Sequence, residues 1–561
     1  MFSKADKILI IILILTALIR FYDLPRGNVV SDEALYGFRS IGYLDFSFAL
    51  AQPTTLQLFE NTIPWWTKFS FHDHPPLVFL IQHCFIKLFG INLWGLRLSS
   101  ALFGFFSIYL IFLIGQKLFS RKTGLIASVL LTANVLMVYV SRTAIQEAQV
   151  IFFILLTVYL FIKARDNPPW YLAAGASFGL ALLTKYTVVF LIIPLLIYLL
   201  FNRSAMRKPN FYGGILLALI IFSPVIIYNL LLFQTFGHFD FQLSHILSQE
   251  VPYWQEAPGK EIGAMPDRAE GIFKNFWFYN SPVFNLLALF GLGFLIVQAW
   301  LKRKSPVSFS YSFLLLIIIS NLFFYLIIGP GVRFLTMLVP WLALAVALAF
   351  VWLIESKLKS FALTMFFLII AWEIFYSINS CILYKPIGKE ILNYSRIHWD
   401  MHAWGFNKLD AFLDKLLENQ YPGLTIPYNL QFLEEVKSTA IEKAQSRAEQ
   451  PSNILIIYND NIFDLASMWV FNRWSLYQAW PMLPAVAYQQ MLTVQGENYF
   501  KDKGFTDFYF IQPAENMLLN SIDRQTKAGD ELENQLRGQG ITPTIISNHN
   551  DQEAFRIYYY N

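Results

Sequence analysis

Asp32 and Glu33 stand side by side in "SDEALYG" (31–37), shortly after the first apolar run of the chain. A carboxylate there can act as a general base, taking a proton from an attacking hydroxyl or amine. It can also serve a helix start, with Ser31 as cap and the acids in the first turn of the amphipathic stretch "SDEALYGFRSIGYL". The two roles are compatible, since Ser31 can cap while Asp32 points elsewhere. Asp73 lies in "FHDHPPLVF", where Pro75 and Pro76 remove two backbone donors and hold Asp73 and His74 in an extended approach. His72, Asp73 and His74 offer metal-ligand chemistry, but alternate residues on an extended stretch do not converge easily on one ion. Glu147 is a fourth acid, in "VSRTAIQEAQV" with Arg142. Lys185 in "LLTKYTVV" and Arg333 in "IIGPGVRFLTMLVP" are, like Arg142, isolated cations. One shared anion, a phosphate or diphosphate, would explain all three; so would side chains that snorkel to anchor span ends.

The elements that must position these groups are membrane spans. The 561 residues are 56% hydrophobic and 14% charged, with 54 Phe and a mean hydropathy of +0.46. Soluble domains carry about 25% charged residues. Eleven apolar runs approach the roughly 20 residues that cross a bilayer. They lie near 7–22, 93–116, 123–140, 147–164, 169–184, 186–202, 211–233, 283–301, 308–328, 334–354 and 360–383. The shorter run 75–90 puts His83 and Lys87 on one face and suits an interfacial helix. The N-terminus lacks a small-x-small cleavage site after its apolar core and reads as a retained span.

Five alternate short loops hold thirteen Lys or Arg, and the opposite turns hold three, which are Arg142, Lys185 and Arg333. The positive-inside rule puts the thirteen and the N-terminus in the cytoplasm. Residues 23–92, the loop 234–282 and the C-terminal region are then extracytoplasmic, as are all the acids and cations named above.

From about 385 the chain turns polar. Strand-like runs at 453–458, 507–512 and 555–560 alternate with helical patterns such as "IFDLASMWVFNRWSL", as in a small α/β domain. The expected division is therefore a transmembrane domain over 1–384 and a soluble extracytoplasmic domain over 385–561. No basic stripe interleaves with stacking aromatics, so nucleic acid is excluded as a partner. Cys84 and Cys381 adjoin separate apolar segments and imply no disulfide framework.

The Asp-Glu pair after the first span, the later "HPPL", "FGINLWGLRL" opening the second span and a late "R…LP" together resemble the GT-C membrane glycosyltransferases. Within them the resemblance is to glycosyltransferase family 39 and its bacterial relatives, which include protein O-mannosyltransferases and the lipid A aminoarabinose transferase. It covers roughly residues 1–380, and "YNLLLFQTFGHFDFQLSH" looks like the outer loop after the seventh span in the bacterial members. The resemblance implies a sugar donor on a polyprenyl phosphate and Asp32 as catalytic carboxylate. Some relatives have Glu-Lys before Pro-Pro where this chain has Asp73-His74. That departure puts any donor-specific role at this position, and any use of aminoarabinose, in doubt.

These readings give a polytopic helical membrane protein of GT-C type with about eleven spans and a C-terminal extracytoplasmic α/β domain, in the inner (plasma) membrane. Its expected work is to move a sugar from the polyprenyl-phosphate donor to a lipid, glycan or protein acceptor. Asp32, Glu33 and Asp73 are the catalytic candidates. Arg142, Lys185 and Arg333 are the phosphate ligands, and His72, His74 and Glu147 are supporting or acceptor residues. No cofactor is required by this scheme, and a divalent cation is left open. One carboxylate suffices for a single displacement with inversion; retention would want a second, close carboxylate. A transporter or flippase of a lipid-linked substrate is the alternative, but no repeated half is present and the charges gather at one face. A scaffold displaying the C-terminal domain would need neither the acids nor the lone cations.

Overall fold

The computed structural model describes residues 4–48, 52–59, 62–201, 203–254, 263–305, 308–446, 450–462, 464–517 and 526–561. The outer loop 234–282 and the first loop 23–92 are thus described in part. The chain divides into two units. One comprises 1–26 and 66–398, the other 27–65 and 399–561. This differs from the expected boundary at 384/385: the helix carrying Asp32 is part of the second unit. Its apolar face is buried by C-terminal residues, a pairing that local periodicity does not reveal.

The first unit is a helical membrane bundle. Seven of its described helices are long and apolar enough to span: Leu93–Leu118, Glu147–Ala164, Pro209–Phe236, Pro282–Leu301, Ser308–Ile328, Val332–Glu355 and Lys359–Cys381. An eighth is the bent pair Arg121–Ala133 and Val135–Arg142. The remaining three of the eleven expected runs are helical but shorter or more charged: Lys4–Phe21, Trp170–Thr184 and the run from Tyr186 to Phe201. Val332–Glu355 is 83% buried and Glu147–Ala164 78%, against 22% for Pro209–Phe236, so the first two are central and the third faces lipid. Leu77–Phe89 buries Val78, Phe79, Gln82 and Ile86, leaves Lys87 exposed and holds His83 half-buried.

Backbone polar groups in a bilayer must find protein partners. At the 64° break after Ala133, Asn134 caps the next helix by accepting from Met137 N and donates to Asn280 Oδ1 at 2.9 Å. The Ser377 hydroxyl takes the freed Ala133 carbonyl. Helices Trp170–Thr184 and Pro209–Phe236 approach backbone to backbone: a Cβ on Gly175 would fall 1.9 Å from Gly214 O. Small residues are what permit such contact between membrane helices.

The second unit carries a mixed five-stranded sheet. Its strands are β3 (Ile454–Tyr458), β4 (Met482–Pro484), β5 (Asp507–Pro513), β6 (Thr544–Ser547) and β7 (Glu553–Tyr560), in the order β4-β3-β5-β7-β6. β1 (Gln420–Pro422) and β2 (Gln450–Ser452) form a separate parallel pair. β3 runs parallel to β4 and β5, while β7 runs antiparallel to β5 and β6. Leu455, Ile457, Phe508, Phe510 and Tyr558 pack with the helices Ala485–Gln495 and Ala528–Gly538. A second core joins Phe38, Phe46 and Leu56 to Phe432, Leu433, Met468 and Leu476. Full burial of Phe38 alone contributes about 1.5–3 kcal/mol.

Candidate active site

In the first unit Lys185 is the residue at which two helical stretches break. Its backbone is extended (φ −163°, ψ 135°) between Trp170–Thr184 and the 3-10 turn Tyr186–Leu191. The break frees the side chain to meet Glu147, the first residue of Glu147–Ala164: Lys185 Nζ lies 2.5 Å from Glu147 Oε1. The same ammonium sits 4.4 Å over the centroid of Phe334, next to Arg333 in the short helix Val332–Leu335. The structure therefore brings together Lys185, Glu147 and the Arg333 segment, which lie far apart in sequence. The Thr336 hydroxyl bonds Arg333 O and the Tyr325 hydroxyl bonds Phe334 O, so the segment's backbone is pinned.

Arg142 does not join them. It is fully buried, and its guanidinium donates to the carbonyls of Ile19, Arg20, Tyr22 and Asp23 at 2.8–3.2 Å. These are the orphan acceptors at the end of Lys4–Phe21 and the turn after it. Arg97 holds Leu24 O and Arg26 O, and Arg20 holds Leu131 O and Thr132 O. Its terminal nitrogens cap backbone carbonyls, and the structure does not bring it beside Lys185.

The loop of His72, Asp73 and His74 curls so tightly that Phe71 N bonds His74 O. Asp73 Oδ1 lies 3.0 Å from His74 Nδ1 and 3.7 Å from His72 Nδ1. Contrary to expectation both imidazoles face one carboxylate oxygen, because the chain turns here and does not run extended.

Phe241 N bonds His72 O at 2.7 Å and so ties this loop to the one after the Pro209–Phe236 span. There Asp240 is the residue that the sequence reading missed. Fully buried, it caps Phe241–Ile246 through Leu243 N and accepts from Tyr186 Oη at 2.6 Å and Asn229 Nδ2 at 2.9 Å. Burial raises its pKa. Its signal was an Asp immediately before a short helical run. His238, close by, contacts Phe239 O through Nδ1 and the Tyr253 hydroxyl through Nε2. The carbonyl can only accept, so Nδ1 carries the proton and Nε2 receives from Tyr253. Burial lowers the His238 pKa. One chain of contacts thus runs from His72 through Phe241, Asp240 and Tyr186 to Lys185 and Glu147.

In the second unit Asp32 lies in the first turn of the helix Ser31–Gly42 and accepts from Tyr36 Oη at 3.2 Å. The expected Ser31 cap is absent: Val30 holds the cap position, and no side chain caps the helix. Ser31 has φ +56°, a left-handed conformation uncommon for a residue other than glycine. Glu33 is buried, whereas Asp32 is half-buried. Buried Arg39 lies 3.8 Å from Asp45 and donates to Phe46 O, closing the end of the helix. Cys84 and Cys381 are both free thiols.

The fold is that of a polytopic helical membrane protein with a sheet-containing C-terminal region. The crystal structure of ArnT from Cupriavidus metallidurans bound to undecaprenyl phosphate superposes with a TM-score of 0.53 at 12% identity, over 98% of this chain and 97% of that one. By sequence, residues 73–228 match the family model described as dolichyl-phosphate-mannose-protein mannosyltransferase. Two Bacillus subtilis (strain 168) relatives are named "Putative mannosyltransferase YycA" and "Putative mannosyltransferase YkcB". The first is 26% identical over 39% of this chain, the second 27% over 36%. The chain spans 31% and 28% of their lengths.

Proposed function

We propose that this protein is a membrane glycosyltransferase that moves a sugar from a polyprenyl-phosphate carrier to a hydroxyl or amine acceptor at the extracytoplasmic face of the inner membrane. The observation that carries the reading is the Lys185–Glu147 pair, since it sets one lone cation of the outward turns beside Phe334, the neighbour in sequence of a second, Arg333. The ArnT match, whose structure holds undecaprenyl phosphate, and the mannosyltransferase family model support it.

Lys185 and Arg333 bind the carrier phosphate at the lipid–water boundary. The bond between the anomeric carbon and the phosphate oxygen breaks, and the phosphate keeps the electron pair. Fixed cations in a partly dry site stabilise that developing charge. The acceptor oxygen or nitrogen bonds to the anomeric carbon from the opposite side, with inversion, and passes its proton to the Asp32 carboxylate. Glu33 braces the helix, and Asp73 with His72 and His74 shapes the acceptor approach. Residues 399–561 contribute to acceptor choice.

The test is release of bare polyprenyl phosphate from a radiolabelled lipid-phosphate sugar by the full chain in nanodiscs with a candidate acceptor. Acceptor-dependent release that is lost in Lys185→Met supports the reading. Movement of intact donor between leaflets without cleavage would favour a flippase and overturn it.

A further inference from the structure

Buried hydroxyls on the spanning helices mostly close back on the carbonyl one turn earlier. Ser107, Ser141, Thr157 and Thr184 bond the carbonyls of Phe103, Met137, Phe153 and Leu180. Ser99 and Ser100 break this habit. Both are fully buried near the start of Leu93–Leu118, and neither hydroxyl has a partner among the described residues. Gln146 and Gln149, at the start of Glu147–Ala164, are also fully buried, and both atoms of both amides are without partners.

Three of these residues share a level, and Gln146 lies almost one turn nearer the helix start. The Phe103 ring meets Phe152 and Phe153 at 5.0 and 5.7 Å, which sets the register of the two helices. One turn toward the N-terminal end of each from that contact come Ser99 and Ser100 on one helix and Gln149 on the other. Gln146 lies three residues before Gln149 and shares its face. The two amides flank Glu147, which holds Lys185. Two hydroxyls and two amides left unmet near the ends of two packed helices call for a ligand rich in donors and acceptors.

We propose that Ser99, Ser100, Gln146 and Gln149 form the recess that receives the sugar of the lipid-linked donor, and that this sugar is neutral and hydroxyl-rich. The proposal rests on the donor reading above. Hydroxyls and amides each donate and accept, as sugar hydroxyls do, and bring no charge. A phosphate would call for cations. A cationic amino sugar would call for a carboxylate, and the one in this stretch, Glu147, is committed to Lys185.

The experiment measures binding of three lipids to the full chain in nanodiscs: undecaprenyl phosphate, its mannosyl derivative and its aminoarabinosyl derivative. Gln149→Leu should weaken the mannosyl lipid about ten-fold or more while bare undecaprenyl phosphate binds as before. Ser99→Ala and Gln149→Asn, milder changes, should shift the same ratio if Gln149→Leu does not fold. Equal loss for both lipids, or no change for either, makes the recess scaffold or water-filled and overturns the proposal. A wild type that prefers the aminoarabinosyl lipid refutes the neutral sugar. A wild type that binds none of the three fails at the donor reading, and this proposal falls with it.

Discussion

Lys185 Nζ lies 2.5 Å from Glu147 Oε1, with the carboxylate almost wholly enclosed and the ammonium beside the Phe334 ring. Removing one partner of such a pair leaves a buried charge uncompensated. Lys185→Met should therefore cost about 3–5 kcal/mol of stability, and the double variant with Glu147→Gln should recover most of it. Donor affinity should stay lost in the double variant if Lys185 binds phosphate. Recovery of donor binding along with thermal stability would reduce the pair to scaffold.

Asp32→Asn keeps size and the bond from Tyr36 but cannot take a proton at neutral pH. Transfer should fall roughly 10²- to 10⁴-fold with donor binding largely kept. Glu33→Gln should cost less, because that side chain is buried in the helix packing. If Asp73→Asn stops transfer and Asp32→Asn does not, the two acids exchange roles.

Arg142→Met strips four backbone carbonyls of their donor. The expected loss is at least about 3 kcal/mol in thermal stability. Surviving folded protein should bind donor normally. A stable variant with impaired donor binding would return Arg142 to the phosphate site.

Gly42 ends the Asp32 helix against Tyr477, and a Cβ there would lie 2.7 Å from the ring. Gly42→Ala must push either helix or ring aside, with a cost of about 1–3 kcal/mol. Proteolysis of 31–48 should accelerate, and a companion Tyr477→Leu should restore resistance. Unchanged proteolysis would mean the contact yields freely.

His238 has a pKa below its ordinary 6.5 through burial, so the folded state prefers the neutral ring. The unfolded state then binds more protons as pH falls. The stabilisation is present above about 6.5 and is lost as pH drops through the lowered folded value. Protection factors over 238–254, with the pH dependence of intrinsic exchange divided out, should fall on going from about pH 7.5 to 5, and His238→Gln should flatten that response. Protection that does not change with pH would show that the ring stays neutral throughout.

All eleven apolar runs form helices, and the three strand-like runs became β3, β5 and β7. Those patterns are local, so the sequence carries them openly. β4 and β6 are too short to leave a period of two. Lys185 and Glu147 were each recognisable as unusual charges, but their pairing needs the break at 185. Arg142 read as a lone outward cation because nothing near it in sequence tells that the first helix ends against it. The Asp32 helix read as a loop feature, since Phe38 finds Tyr477 only across most of the chain.

Because the second unit takes residues from both ends of the chain, its assembly is set by the ribosome's clock. Phe38 emerges long before Tyr477, about 440 residues ahead, which at ~5–20 residues per second is a wait of roughly 20–90 s. Through that interval the apolar side of Ser31–Gly42 has no final partner and needs a chaperone or the bilayer surface to shield it. A C-terminal fragment expressed alone would never receive it. Nascent-chain stalling before residue 477 should leave the early segment protease-sensitive however well the bundle has formed.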